Sequence, residues 1–198
     1  TSTRQLTPQW QATRTTLLLQ TLPSCTTPRV RAATFSTLWN RWNTHRRWQR
    51  RTHHNNYCLL LCGNNSEDSI EHYCCCQTVK SAMRRFLNLD TYYFSNIHSF
   101  MLANHHITTT ETLTTIALLT YGIYTTTNTL RQHQRQHKNY TVDYAYDMLI
   151  QEIRNGAMGH HNSMKVLSTR WVNNATHTAN TLKGTQSVNT AHTNTTTA

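Results

Sequence analysis

The stretch CLLLCGNNSEDSIEHYCCC, residues 58–76, decides the fold. It contains three cysteines and one histidine with the spacing C-x3-C-x9-H-x3-C, namely Cys58, Cys62, His72 and Cys76. Three thiolates and one imidazole form the complete ligand set of a closed tetrahedral zinc site. The first two cysteines fit a tight turn, because Gly63 follows them and glycine adopts positive φ without steric cost. The sequence therefore predicts one Zn2+ held by these four side chains.

The second pair of ligands is predicted to come from a helix. Asp68 or Ser69 is a suitable N-cap for a helix that begins near Ile70. His72 and Cys76 are four residues apart, so on one helix they would share a face. This spacing predicts that the helix presents both side chains to the same ion.

Two further cysteines lie in the same string. Cys75 follows His72 by three residues and is expected on the same side, whereas Cys74 points elsewhere and is interpreted as a spare thiol. Two other interpretations of the cysteines stay open at this point. Free cysteines often pack as small buried hydrophobic groups, and a pair of them can form a disulfide.

Composition sets wide bounds on the fold. The chain has 198 residues, of which 37% are hydrophobic, below the usual globular fraction of roughly 45–50%. Thr, Asn, Gln and His are over-used while Gly, Ala, Asp and Glu are scarce, a pattern that indicates a G-poor coding strand. This length suffices for one sizeable domain with tails. Because the chain starts at Thr1 without Met, we expect it to be part of a longer protein.

The positive charge is concentrated in the first third of the chain. The formal net charge is +11, and no Asp or Glu precedes Glu67. The basic residues of that stretch are all arginines, whose planar guanidinium suits phosphate better than lysine does. They are Arg4, Arg14, Arg29, Arg31, Arg41, Arg46, Arg47, Arg50 and Arg51. Such a field predicts a polyanionic partner, RNA or DNA, and the alternative is a merely solubilising surface.

The sequence predicts neither a membrane partner nor export. The longest apolar runs, Leu17–Leu19 and Cys58–Cys62, are far shorter than the ~20 residues that a membrane span needs. The N-terminus has no apolar core of the kind that secretory signal peptides carry. We therefore expect an intracellular protein with reduced thiols.

Helical periodicity dominates the remaining sequence. Thr27-Pro28 starts a pattern that continues through Trp42, and an apolar stripe runs from Tyr73 to Leu89. Thr109 or Thr110 is expected to cap a long helix with apolar residues from Leu113 to Leu130, followed by a polar break at 131–140. A further helix begins near Val142, with Asp143 in its first turn, and ends at Gly156 and Gly159.

These patterns predict a mainly α protein, a small helical domain built around one zinc knuckle with a disordered C-terminal tail. Three regions are expected. Residues 1–27 form a basic N-terminal segment, 28–167 the helical zinc-knuckle domain with its metal segment at 58–76, and 168–198 a low-complexity disordered tail.

The metal segment closely resembles the cysteine-histidine segment downstream of the polymerase domain in non-LTR (LINE-type) retrotransposon proteins. Upstream, WNRWNTHRRWQRR at 39–51 resembles the stretch that commonly precedes that segment. Downstream, RRFLNL at 84–89 and ALLTYGIYTTTNTLR at 117–131 resemble the helical segments that follow it. The resemblance covers about residues 28–167. One departure is Leu61, which stands where the family often has Gly before the second cysteine.

The resemblance implies a zinc-dependent accessory region of a reverse transcriptase polyprotein, acting in the nucleus. Such a region is thought to hold template RNA or target DNA while cleaved DNA primes synthesis. The rest of the polyprotein would be its partner, and the predicted zinc ligands would carry over unchanged. Trp48 would stack on a base, although a core position is the alternative. The phosphate contacts would be Arg46, Arg47, Arg50 and Arg51, with Arg41 upstream in the same basic stretch.

The sequence predicts no catalytic residue of its own. The four aspartates do not form the aromatic-x-Asp-Asp loop of a polymerase palm. A catalytic zinc keeps an open coordination position, whereas this motif supplies four protein ligands. Two hypotheses therefore remain, a nucleic-acid-binding accessory module and a zinc-stapled structural or protein-interaction domain with no nucleic-acid role.

Overall fold

The fold is mainly α. A computed structural model describes residues 12–39, 41–44, 57–63, 66–90, 97 and 109–170. Of these residues 71% are helical, and within them no strand forms beyond an isolated antiparallel bridge between Tyr57 and Glu67. The helical fold class predicted from the sequence is confirmed.

One long helix organises the others. In chain order the described helices are α1 (Ala12–Cys25), α2 (Pro28–Leu38), α3 (Ile70–Tyr73), α4 (Gln77–Arg85), α5 (Thr110–Arg135), α6 (Val142–Ala157) and α7 (residues 161–170). The long helix, α5, packs against α1, α2 and α6, and α4 packs against α6. Helix α5 has 26 residues and is buried nearly all round over its first half, as expected of a central helix.

Threonines can occupy this buried helix because their hydroxyl groups find partners within it. Thr109 caps α5 as predicted, accepting a hydrogen bond from the Thr112 amide at 3.1 Å. Thr114 and Thr127 donate to the carbonyls four residues earlier, at 2.7 and 2.8 Å. A buried hydroxyl with such a partner avoids most of the cost of losing water. The high threonine content is thus compatible with a packed core.

Two glycines allow α5 and α6 to approach closely. A Cβ on Gly122 would lie 2.5 Å from Ile153 Cγ1, and one on Gly156 would lie 2.7 Å from Tyr121 Cδ1. The prediction that Gly156 ends α6 was wrong, because this residue lies inside the helix at its contact with α5. Gly159, with φ +87°, lies in the turn that follows.

The N-terminal region differs from the sequence prediction in two ways. Residues 12–25 form α1, which the sequence did not predict, and Leu22 and Cys25 are fully buried in the common core. The helix that starts at Pro28 ends at Leu38, so its predicted extension through Trp42 was wrong. Trp42 instead lies buried in a non-helical stretch, where its indole nitrogen donates to Thr37 Oγ1 at 2.8 Å.

Helix α7 contacts the end of α1 and the segment that follows α4. The Ser163 hydroxyl donates to the Cys25 carbonyl at 2.6 Å, which fixes the end of α1. Arg170 donates to the carbonyls of Leu87 and Asn88 at 3.3 and 3.1 Å. The predicted start of the tail at residue 168 therefore falls inside α7, and residues 171–198 lie outside the described part. Over the described residues, we find no helix with the length and apolarity to cross a membrane.

Substitution of Thr126 tests how the hydroxyl groups in α5 affect the stability of the fold. The Thr126 Oγ1 is buried without a hydrogen-bond partner, whereas the hydroxyl of the neighbouring Thr127 is bonded. We expect Thr126→Val to raise the free energy of unfolding by about 1 kcal/mol, because it removes a buried polar atom and keeps the side-chain shape. Thr127→Val, the matched control, should leave it unchanged or lower it. Urea unfolding of both variants checks this, and equal gains would contradict the explanation.

Candidate metal centre

The four predicted ligands lie together. Their donor atoms are all within 4.8 Å of one another. The Sγ atoms of Cys58 and Cys76 are 3.8 Å apart, and Cys62 Sγ is 3.4 Å from His72 Nε2. Around one ion, two tetrahedral sulfur ligands at about 2.3 Å would be about 3.8 Å apart, and a sulfur and a nitrogen ligand at about 2.3 and 2.0 Å would be about 3.5 Å apart. These four side chains therefore have the spacing of ligands around one metal ion.

Residues 57–63 form a tight turn that carries the first two sulfurs. The Leu61 amide donates to the Cys58 carbonyl at 3.0 Å, and the Cys58 amide donates to the Ser66 carbonyl at 2.8 Å. Gly63 has φ +80°, as predicted, and Leu61 has φ +48°. Positive φ is costly for a residue with a Cβ, so Leu61 is strained where glycine would not be.

The other two ligands flank a break between helices. Ser69 caps α3 as predicted, accepting a hydrogen bond from the His72 amide at 3.1 Å. This helix ends at Tyr73, and Cys76, at φ −57° and ψ 129°, is the N-cap of α4. The prediction of one helix carrying both ligands was therefore wrong. The break places the Cys76 sulfur beside the N-terminus of α4, where the helix dipole favours a negative charge.

The two other cysteines of the string are outside the cluster. The buried Cys74 thiol donates to the Ile70 carbonyl at 3.4 Å. Cys75 is exposed, and its thiol donates to the His72 carbonyl at 3.2 Å. None of the six cysteines forms a disulfide, so the structure does not support the disulfide alternative. Cys74 and Cys75 are thus distinguishable from the ligand set by geometry.

The environment of His72 favours positive charge. Burial of the imidazole lowers its pKa. The hydrogen bonds and negative charge of Cys76 and Cys62 raise the pKa by more than burial lowers it, so the net result is a raised pKa. The nearby sulfurs thus stabilise a cation in their midst. A metal ion would satisfy the same demand and displace the proton from the ring nitrogen.

Side chains from distant parts of the chain hold the turn by its backbone. The Tyr140 hydroxyl donates to the Leu59 carbonyl at 3.0 Å, and Thr78 Oγ1 donates to the Leu60 carbonyl at 3.1 Å. Burial, together with the charges of Cys58 and Asp68, raises the pKa of Tyr140 to about 12. Tyr140 therefore remains a donor at any physiological pH.

A buried carboxylate connects the metal segment to α5. Asp68 accepts from the Tyr73 hydroxyl at 2.6 Å and from Arg131 at 2.8 Å, and Arg131 also donates to Asn128 at 3.1 Å. Burial, reinforced by the charge of Asp68, raises the pKa of Tyr73 well above its usual value. This network was not predicted from the sequence. Arg131 lies in the stretch predicted to be a polar break, and no local pattern indicates a partner 63 residues away.

Only part of the predicted nucleic-acid surface is described. Arg41 is exposed, and its guanidinium lies 5.6 Å from the centre of the Trp39 ring. Arg29, counted with the basic cluster, is instead engaged by the fold, since it donates to the Asn155 carbonyl at the end of α6. The other candidates lie outside the described residues: Arg46, Arg47, Trp48, Arg50 and Arg51.

The chain matches no model of a known protein family, no curated protein and no solved structure. The resemblance to retrotransposon proteins therefore stays a prediction.

Substitutions at Leu61 and Gly63 test how the positive φ angles of the turn affect stability. We expect Leu61→Gly to raise the free energy of unfolding by about 1 kcal/mol, because glycine adopts this backbone conformation without strain. Gly63→Ala should lower it by a similar amount. A Cβ at Gly63 would meet nothing within 4 Å, so that change tests backbone conformation alone. Thermal unfolding of both variants gives the answer, and a loss of stability in Leu61→Gly would contradict it.

Proposed function

We propose that the chain is a zinc-dependent nucleic-acid-binding accessory region of a retroelement reverse transcriptase. In this role it holds RNA or target DNA during target-primed reverse transcription, and it has no catalytic activity of its own. The convergence of Cys58, Cys62, His72 and Cys76 within one largely buried site carries the zinc dependence, and the arginine-rich stretch without acidic residues before Glu67 carries the choice of nucleic acid. The resemblance of the metal segment and its flanks supplies the biological context.

Zinc is the ion that this ligand set favours. Three thiolates and one imidazole suit a borderline-soft ion with no geometric preference beyond a tetrahedron. Because the chain supplies all four ligands, no position is left for substrate, and the site is structural. When bound, the ion would tie the turn at 57–63 to the N-terminus of α4. The metal segment would then be held to the core at two points, by the ion and by the contact of Asp68 with α5.

The arginine-rich region supports nucleic acid as the partner. Neither α1 nor α2 contains an acidic residue, and none precedes Glu67. Phosphate groups are the ligands for which an uncompensated arginine field is best suited. The segment with four closely spaced arginines, 46–51, lies in the chain between α2 and the metal turn. Folding of the metal site would therefore anchor the C-terminal end of this segment.

The second candidate is a zinc-stapled structural or protein-interaction domain. It is favoured by the burial of three of the four ligands and by the ion pair between the buried Asp68 and the half-buried Arg131, neither of which is an exposed surface feature. Metal binding is common to the two candidates. The response of nucleic-acid affinity to salt separates them, because only phosphate contacts release counterions.

Removal of one ligand should abolish metal binding. We expect the wild type to hold about one zinc ion per chain and Cys62→Ser to hold none. The variant should also become protease-sensitive between residues 57 and 85, because structural zinc contributes folding free energy directly. Elemental analysis of the purified, reduced protein and limited proteolysis measure the two effects.

Cys75→Ser is the matched control for this change. Its thiol belongs to the same string but is exposed and outside the ligand group. It should keep wild-type zinc content and digestion pattern. Wild-type protein without bound metal, or a Cys62→Ser variant with full zinc content, would contradict the site.

Nucleic-acid binding should depend steeply on salt. If the five candidate arginines each neutralise a phosphate, the logarithm of affinity for single strands should fall with the logarithm of salt concentration at a slope of about −3.5. Replacement of Arg46, Arg47, Arg50 and Arg51 by Gln should flatten this slope by about 3, through loss of the counterion release that they cause. Fluorescence anisotropy with labelled RNA over a salt series measures it.

The control removes the same charge elsewhere. Four exposed basic residues from other elements are replaced by Gln together: Arg84, Arg135, Lys138 and Lys165. This variant should keep a slope near that of the wild type, because net charge is matched and only position differs. Equal slopes in the two variants, or no binding by the wild type, would favour the second candidate.

A further inference from the structure

Trp39 is an exposed aromatic residue with an unusual environment. It is 62% exposed at the C-terminal end of α2. Its ring stacks on Phe35, with centroids 5.3 Å apart and planes inclined by 26°. The guanidinium of Arg41 lies 5.6 Å from the ring centre. A flat indole is thus supported from behind by a second ring and bordered by a positive charge.

We call the stacked pair of Phe35 and Trp39 the platform, and it lies on one side of α2. Arg31, Phe35 and Trp39 are spaced four residues apart, so they follow one face of α2. The opposite side of the helix faces the core, with Thr34 and Thr37 buried. This face is half-buried at Arg31 and Phe35 and exposed at Trp39, and the exposed Arg41 follows two residues later.

Trp42, three residues after Trp39, is buried instead of exposed. The two tryptophans belong to the same short string, WNRW, at residues 39–42. Trp42 is 1% exposed and packs between Tyr73 and Tyr124, at 5.9 and 5.6 Å between ring centroids. One tryptophan of the pair thus lies in the core and the other lies on the surface.

We propose that Trp39, supported by Phe35 and bordered by Arg41, stacks on an unpaired base of single-stranded RNA. This inference rests on the proposed nucleic-acid function and assigns its binding residues to the described part of the chain. Arg41 contacts the phosphate next to the stacked base. In the sequence, the platform precedes the predicted contacts at 46–51.

Charge and ring geometry favour RNA over the other occupants. No acidic residue occurs in positions 1–66, so the chain near the platform repels a basic partner and attracts phosphate. Bases in a duplex are stacked on one another and cannot reach an exposed indole. Unpaired bases of RNA loops and ends stack on aromatic rings and on arginine planes, the two groups that the platform offers. A protein partner for the apolar ring is an outcome of the test.

The first experiment measures the loss of the ring. The probe is a labelled uridine oligomer of about 12 nucleotides, within the range that such surfaces cover. We expect Trp39→Ala to weaken binding about tenfold and Trp39→Phe to restore most of the affinity, because stacking needs an aromatic face. Leu17→Ala is the matched control, since Leu17 is also 62% exposed and lies in α1. It should bind as the wild type does, and thermal unfolding should show all variants folded.

The second experiment separates stacking from charge. The same oligomer without bases keeps every phosphate but offers nothing to stack. Trp39→Ala and the wild type should bind it equally, whereas Arg41→Gln should weaken binding to both oligomers and Arg84→Gln, an exposed arginine in α4, should weaken neither. An equal loss of affinity by Trp39→Ala for both oligomers would overturn the stacking role.

The outcomes distinguish failure of this inference from failure of the proposed function. If the wild type binds RNA with the expected salt slope and Trp39→Ala binds equally well, only the platform is overturned. Tighter binding to DNA of matched sequence, or to duplex RNA, overturns the choice of single-stranded RNA. If the wild type does not bind nucleic acid at about 50 mM salt, the proposed function fails as well, and the exposed ring is left to a protein partner.

Discussion

Three sulfurs and one imidazole nitrogen share a space in which each atom is within 4.8 Å of all the others. Three thiolates at such distances repel one another strongly, and burial away from water increases the repulsion. Such a cluster can persist only with protonated thiols or with a cation at its centre. The raised pKa of His72 shows the same demand for positive charge. The local backbone is arranged around this constraint, with a strained Leu61 in the turn and a helix break before Cys76.

The cluster connects to the helices through groups other than the ligands. Asp68 pairs with Arg131 on α5 and accepts from Tyr73, while Tyr140 and Thr78 hold the carbonyls of the turn. A buried ion pair adds little net stability by itself, but removal of one partner would leave an uncompensated charge. The pair therefore defines the orientation of the metal segment on α5 more than it stabilises the protein. The position of the cluster is set from both sides, by its ligands and by these contacts.

Local signals made much of the fold and the ligand set predictable. Ser69 and Thr109 are caps because their hydroxyls accept from amides three residues later, a relation that is visible in sequence. The helix break at Cys74–Cys75 was missed because spacing of four residues is equally compatible with two short helices. The Asp68–Arg131 pair was missed because charge pairing across 63 residues leaves no periodic trace. Helix α1 was missed because its threonines and arginine resemble those of an unstructured basic segment, and only tertiary packing of Leu22 and Cys25 makes it part of the core.

The strong composition bias makes burial a better guide to function than residue type. Threonine fills both surface and core here, since its hydroxyl can bond to the preceding turn wherever a helix is buried. Arginine is likewise divided between two roles, for Arg29 secures the end of α6 while Arg41 remains on the surface. Trp39 and Trp42 repeat this division within four residues. A coding bias would scatter residue types without regard to their neighbours, so it does not account for an exposed indole supported by one ring and bordered by an arginine. That arrangement depends on the C-terminal end of α2 and on the chain leaving the helix at Leu38, and its geometry is therefore a property of the fold.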